Sequence, residues 1–265
     1  MFTLTSVHNN LNRIYDQGFA SDFHEDFFRH SGFSNFGYWD KPGLTGDQAA
    51  ERLVLRLLEP IQPLQGFILD VACGQGGTTA CLNTYLPGSQ ILAINISEQQ
   101  LSAAQSHAPE CAFQQMSATR LALEDNSVDG ILCVEAVFHF ETRRRFLNEV
   151  KRVLKPGGWL ALTDVFFRFQ PPSRIIPPAN RIRTLDAYKQ LYLDAGLSSP
   201  KIEHALKPSW QSCRNALKRF SRERLKKNPD PTYLKEYMLN ELRCRIYDAA
   251  IADYLLVWSS NPGVL

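Results

Sequence analysis

The residues best suited to chemistry fall where apolar runs give way to helical or loop patterns. Asp70-Val71-Ala72-Cys73-Gly74-Gln75-Gly76-Gly77 joins one such run to a helical pattern. Glycines let the backbone turn tightly and approach a ligand that a Cβ would push away, and a helix beginning there offers free N–H groups beside it. The chemistry of such a turn is cofactor binding, although a plain strand-to-helix turn uses the same residues. Further along, Glu135-Ala136-Val137-Phe138-His139-Phe140 closes a second apolar run, and Asp164 lies near the end of a third. His139 can take up a proton near neutral pH, and Asp164 could orient it or share the proton. Set between two phenylalanines, His139 equally suits a packed core histidine. Glu135 reads as a hydrogen-bonding group beside a cofactor or in the framework rather than as a base.

These residues need strands to hold them. Buried strands are expected over 67–71, 91–96, 111–114, 131–134 and 159–165, with helices over 77–85, 98–107 and 142–154. Strands alternating with helices of this length form parallel βαβ units, so the fold class is α/β. Open sheets of this class bind ligands at the carboxyl ends of their strands, where Gly74, Glu135 and His139 would then lie. Thr45 is a suitable N-cap for an amphipathic helix carrying Ala49, Leu53, Leu57 and Leu58. Lys155-Pro156-Gly157-Gly158 reads as a helix stop before a strand. A loop with four prolines follows over 168–181, then a helix over 184–195 and a strand over 201–206. Basic and mixed-charge helices at 209–227 and 231–247 precede a final strand at 252–258. The expected organisation is an aromatic N-terminal cap, 1–45, on a core, 46–265, that includes a helical insertion at 209–247.

Composition limits the partners. The 265 residues are 44% hydrophobic and 21% charged with a formal charge of +2, an ordinary globular balance that gives no ground for a nucleic-acid partner. No NPPY-like motif occurs. The six cysteines stand singly, without CxxC pairs or metal-ligand spacing, so no metal is expected and a reducing cytoplasmic setting fits. The opening MFTLTSVHNNLNRIYDQ has no apolar core of signal-peptide length, and no stretch is long enough to span a bilayer, so no integral membrane association is expected. Arg143, Arg144 and Arg145 read as a solvated face, as do Arg214, Lys218, Arg219, Arg222, Arg224, Lys226 and Lys227, with an anionic substrate or a membrane surface as the alternative for the second group. Nothing in the sequence sets the oligomeric state.

The stretch ILDVACGQGG resembles the first motif of class I S-adenosylmethionine-dependent methyltransferases. The likeness continues in order through INISEQQLSAAQ, LALEDNSVDGILCVEAVFHF and RVLKPGGWLALTD. Upstream, NFGYW resembles the cap of the small-molecule branch that includes tocopherol, sugar and natural-product methyltransferases. The resemblance implies a Rossmann-like, seven-stranded, mostly parallel sheet with helices on both faces. It implies S-adenosylmethionine as cofactor and a small specialised metabolite as acceptor, methylated on oxygen or nitrogen. Carbon methylation or cyclopropane formation is the alternative, and a non-catalytic cofactor-binding partner protein is a further one. Carried onto this chain, Ala72, Gly74 and Gly76 would meet the methionine part of the cofactor, with Asp70 beneath its amino group. Asn95, Ile96 and Gln100 would hold the ribose edge, Ser117 and Ala118 the adenine, and Glu135 the cofactor side. Tyr15, Tyr38 and Trp39 would form a lid, and His139 with Asp164 would flank the acceptor. Asn95 stands where relatives carry an acid, and Ser117 where they often carry an aspartate. Dinucleotide binding, which wants GxGxxG, is a poor fit to Ala72-x-Gly74-x-Gly76.

Overall fold

The computed structural model describes residue 16, residues 21–169 and residues 176–263. Seven strands make one sheet: β1 (Ile68–Val71), β2 (Ile91–Asn95), β3 (Ala112–Gln115), β4 (Val128–Cys133), β5 (Leu154–Phe167), β6 (Lys201–His204) and β7 (Ile251–Ser260). Their order is β3-β2-β1-β4-β5-β7-β6, parallel from β3 to β5, with β7 antiparallel to both of its neighbours. The helices are α1 (Asp22–Phe27), α2 (Gly46–Leu58), α3 (Gly77–Asn83), α4 (Glu98–His107), α5 (Arg143–Val153), α6 (Leu185–Asp194), α7 (Ser212–Lys227) and α8 (Pro231–Ala250). The last two lie in the chain between β6 and β7.

Side-chain alternation along the strands divides the core in two. Ile68, Leu132, Ala161, Val165 and Leu256 pack on one face with Leu53 and Leu57 of α2. Their neighbours Leu69, Ile131, Leu160 and Leu255 pack on the other with Phe146 and Val150 of α5 and Tyr188 of α6. Covered on both faces, β1 and β2 are buried along their whole length, which is why they read as short, mainly apolar runs. Polar caps set the helix starts. Thr45 and Gln48 form a capping box, and the side chains of Ser97, Thr142 and Thr184 accept the amides of Gln100, Arg145 and Ala187.

The start of the fifth strand departs most from the sequence reading. Lys155-Pro156-Gly157-Gly158 is not a turn between helix and strand but part of β5, which begins at Leu154 and pairs with β4 through a bulge between Val128 and Gly130. Gly157, at φ 82°, supplies the local irregularity that the extra length requires.

Candidate active site

A cavity of about 300 Å³ opens at the carboxyl ends of β1, β2 and β4 and is roofed by residues 32–36. Ala72, Gly74, Asn95, Ile96, Gln100, Ser117, Ala118, Glu135 and His139 line it together, drawn from four separate strand ends and loops. Tyr38, Trp39, Asp70, Gly76 and Asp164 do not line it, and Tyr15 lies outside the described residues.

The floor is the turn after β1. Ala72 and Gly74 hold left-handed backbone at φ 60° and 57°. Around a Cβ built at Gly74 the nearest atom is Ser34 Oγ, 3.7 Å away, so a side chain there would enter the cavity. Gly76 has another purpose. Its Cβ would stand 2.8 Å from Ala104 Cα, so the glycine lets α3 approach α4 rather than a ligand. Behind the turn Asp70 is buried and accepts the Thr79 hydroxyl at 2.7 Å. Burial raises its carboxyl to about 7, with the Thr79 bond pulling the other way, and none of the described ion pairs involves it.

At the end of β2 the polar pattern departs from expectation. The Asn95 side-chain carbonyl accepts the amides of Ile96 at 2.7 Å and Ser97 at 3.2 Å, which fills both of its lone pairs. It is therefore not the free acceptor its position suggested. The Asn95 amide donates to Gln100 Oε1 at 2.9 Å, and Gln100 Nε2 donates to Asp16 Oδ1 at 2.7 Å, joined there by the Ser97 hydroxyl at 2.9 Å. A carboxylate is present at this edge after all, delivered by the N-terminal segment.

The roof comes from the first half of the expected cap motif. Phe33, Ser34, Asn35 and Phe36 line the cavity, whereas Trp39 donates back to the Phe36 carbonyl at 2.7 Å and Tyr38 donates to Glu203 at 3.1 Å. The roof is bonded to the floor, because the Gly77 amide donates to the Gly32 carbonyl at 3.1 Å. It is also bonded to the wall, because Glu135 Oε1 accepts both the Phe36 amide and the Tyr254 hydroxyl at 2.6 Å. Glu135 sits at φ 53°, and burial pushes its carboxyl up to about 7 against the pull of those two bonds.

His139 ends a short 3₁₀ turn, Val137–His139, and is 7% exposed, with its ring 4.2 Å from that of Phe138. The expected partner Asp164 is elsewhere. Val165 lines the cavity, and strand alternation turns its neighbour Asp164 to the opposite face. There Asp164 takes a bidentate pair of bonds from Arg143, Nε to Oδ2 at 2.7 Å and Nη2 to Oδ1 at 2.6 Å. Arg143 is thus buried, not part of a solvated face, while Arg144 and Arg145 are solvent-facing. Arg143 also donates through Nη1 to the Asn180 carbonyl, and its backbone amide meets Asn180 Oδ1 at 2.8 Å. Asn180 Nδ2 in turn donates to the carbonyls of Phe138 at 3.2 Å and Phe140 at 2.6 Å, the two residues flanking His139. Among the described residues this strut links Asp164 to the His139 turn.

The far end of the cavity is apolar, formed by Phe138, Val165, Phe167, Ile176, Tyr247 and Ile251. Tyr188 and Trp210 do not reach this wall; they are buried in the core, bonded to Tyr192 and Asp248. Among the described residues no cluster of His, Cys, Asp and Glu is placed to hold a metal ion. The six cysteines are free thiols.

A family profile described as "Methyltransferase domain" matches residues 69–162. An O-methyltransferase of Pyrenophora dematioidea is 34% identical over 162 residues, which are 57% of this chain and 60% of that protein. The 27-O-demethylrifamycin SV methyltransferase of Amycolatopsis mediterranei is 30% identical over 194 residues, covering 66% of this chain and 71% of that one. The chain spans about three fifths of the length of the fungal O-methyltransferases it matches, 58% in one from Penicillium expansum. In fold, the chain superposes on the cyclopropane synthase MmaA2 of Mycobacterium tuberculosis with a TM-score of 0.73 at 15% identity, over 96% of this chain and 98% of that one.

Proposed function

The chain belongs to the class I S-adenosylmethionine-dependent methyltransferases, and from that premise we propose that it methylates an oxygen of a small, largely apolar metabolite. The observation that carries the reading is one cavity whose lining brings His139 together with the cofactor-side residues Gly74, Gln100 and Ser117 and with the apolar Val165 and Ile251. The names of the Pyrenophora and Amycolatopsis relatives record O-methyl transfer, which supports oxygen over nitrogen.

The residues present suit the cofactor. Gly74 leaves room for it, and the Gln100 and Asp16 edge, with Asn95 bonded behind Gln100, suits ribose hydroxyls. The carboxylate of Asp70, which enters no ion pair among the described residues, favours an ammonium group brought to the turn. Ser117 and Ala118 close the adenine side. When bound, S-adenosylmethionine supplies a methyl group already activated on a sulfonium. The work left to the protein is to align an acceptor, exclude water and receive one proton. His139 receives the proton that the acceptor hydroxyl gives up as its oxygen takes the methyl group. The Asn180 bonds to Phe138 and Phe140 hold the His139 turn in place. Phe138, Phe167, Ile176 and Ile251 exclude water and suit an apolar skeleton. Asp164 acts as a positioning residue behind this strut and not as a proton carrier.

The test is transfer of labelled methyl from S-adenosylmethionine to a panel of apolar phenols and alcohols. His139→Ala is expected to lower kcat by about 10²- to 10⁴-fold while calorimetry gives an unchanged affinity for S-adenosylhomocysteine. Unchanged turnover would leave alignment alone as the source of catalysis. No cofactor binding in the micromolar range would sink the whole reading.

A further inference from the structure

The outer face of α8 is apolar and uncovered. Leu234, Met238, Leu242 and Ile246 recur every fourth residue, and together with Leu239 they are 43% to 61% exposed. Such spacing lines them over about 18 Å along one side of the helix. Isolated exposed leucines are common on protein surfaces, but a continuous row of this length is not.

The charges of the same helix are sorted. Its three acids face α7: Glu236 pairs with Arg224 at 3.0 Å, Glu241 with Lys218 at 2.9 Å and Asp248 with Arg214 at 2.7 Å. Asp230 is taken up in capping the helix N-terminus. Lys235, Arg243 and Arg245 are exposed and enter none of the ion pairs among the described residues. Helical spacing sets Lys235 and Arg245 within the apolar arc itself, where long stems lie along apolar surface and the charged ends reach outward. Arg219, Arg222, Lys226 and Lys227 of α7 are exposed as well, with Glu223 the one exposed acid of that helix. An apolar stripe bearing cations and no free acid matches the chemistry of an anionic lipid surface. A second copy of the chain matches it poorly, since a two-fold contact would set these cations against their own kind with no acid to pair. Among the described residues no helix is long and apolar enough to cross a membrane.

We propose that the outer face of α8 docks on an anionic lipid bilayer, where it lies in the interface plane. Tyr247, on the same helix, lines the cavity, so docking sets the apolar half of the site beside the lipid. The docking stands apart from the methyl-transfer reading and survives if that reading fails.

The full chain is sedimented with phosphatidylcholine vesicles, either pure or containing about one third phosphatidylserine. Binding is expected on the anionic vesicles, at least tenfold weaker on the neutral ones and falling with added salt. Lys235→Glu with Arg245→Glu should cost at least about 25-fold, near fivefold for each cation lost. Met238→Glu with Leu242→Glu should abolish binding, while S-adenosylhomocysteine affinity reports that both variants remain folded. Absence of binding to anionic vesicles overturns the proposal, as does equal binding to both compositions. A dimer in sedimentation equilibrium that Met238→Glu with Leu242→Glu dissolves also overturns it, assigning the face to a second copy.

Discussion

Replacing Asp164 by asparagine separates a structural carboxylate from a chemical one. In the folded protein Asp164 and Arg143 are 0% and 3% exposed and share two bonds of 2.6 and 2.7 Å. The substitution keeps the shape but leaves a buried guanidinium without its counter-charge. Breaking one side of a buried pair costs about 3–5 kcal/mol. With a urea slope of about 3 kcal/mol per molar, the unfolding midpoint should fall by about 1 to 1.7 M. Removing both charges, as in Arg143→Met with Asp164→Leu, should recover most of that loss, because no uncompensated ion is then buried. Turnover measured well below the unfolding temperature should follow the same pattern, lowered in Asp164→Asn and largely recovered in the double variant. A proton-carrying Asp164 would behave differently. Asp164→Asn would keep its stability within about 1 kcal/mol, turnover would fall by orders of magnitude, and the double variant would be equally inactive. That outcome would refute the argument from strand alternation.

Two further perturbations probe the cofactor half. Asp16→Asn removes the carboxylate bonded to Gln100 and Ser97, and S-adenosylhomocysteine should bind about tenfold more weakly by calorimetry, the loss expected of one charge-assisted bond; equal affinity would leave Asp16 a surface residue. Asp70 gives a pH signature: its folded carboxyl titrates near 7, above the ordinary carboxylate value of 3.8, so between about pH 4 and 7 the folded state holds a proton that the unfolded state has released. Stability from this group is therefore complete below about pH 4 and is lost as pH rises toward 7, by about 4 kcal/mol. Asp70→Asn should flatten that decline in urea titrations of the cofactor-free protein, and an unchanged slope would mean that Asp70 ionises normally.

The parts legible in the sequence were those encoded locally. The short apolar runs of β1 and β2 announced buried strands, and Thr45 announced the start of α2. The cavity residues Gly74, Ser117 and His139 lie in the turns after strands, and Gln100 lies in the first turn of α4. What escaped depended on partners distant along the chain. Arg143 read as solvated because its partner Asp164 is 21 residues away and the alternation of β5 decides which face meets it. Asp16 was passed over because Gln100 lies 84 residues further on. Asn95 was misjudged for the opposite reason, since its carbonyl is consumed by the next two amides. Within Asn35-Phe36-Gly37-Tyr38-Trp39 the sequence marked the aromatics but not their directions. Gly37 packs its backbone against Ala49 of α2, so the chain before it roofs the cavity and the chain after it joins the core.

The juxtaposition of Val165 and Asp164 on β5 makes the site intolerant of a particular kind of change. One peptide separates a cavity wall from a buried ion pair, and only the pairing of β5 with β4 and β7 decides which residue meets which side. A single inserted residue before this point would exchange them, carrying a carboxylate into the apolar half and an isopropyl group to the guanidinium. Substitutions along β5 alter the site piecemeal, whereas an insertion would turn it inside out.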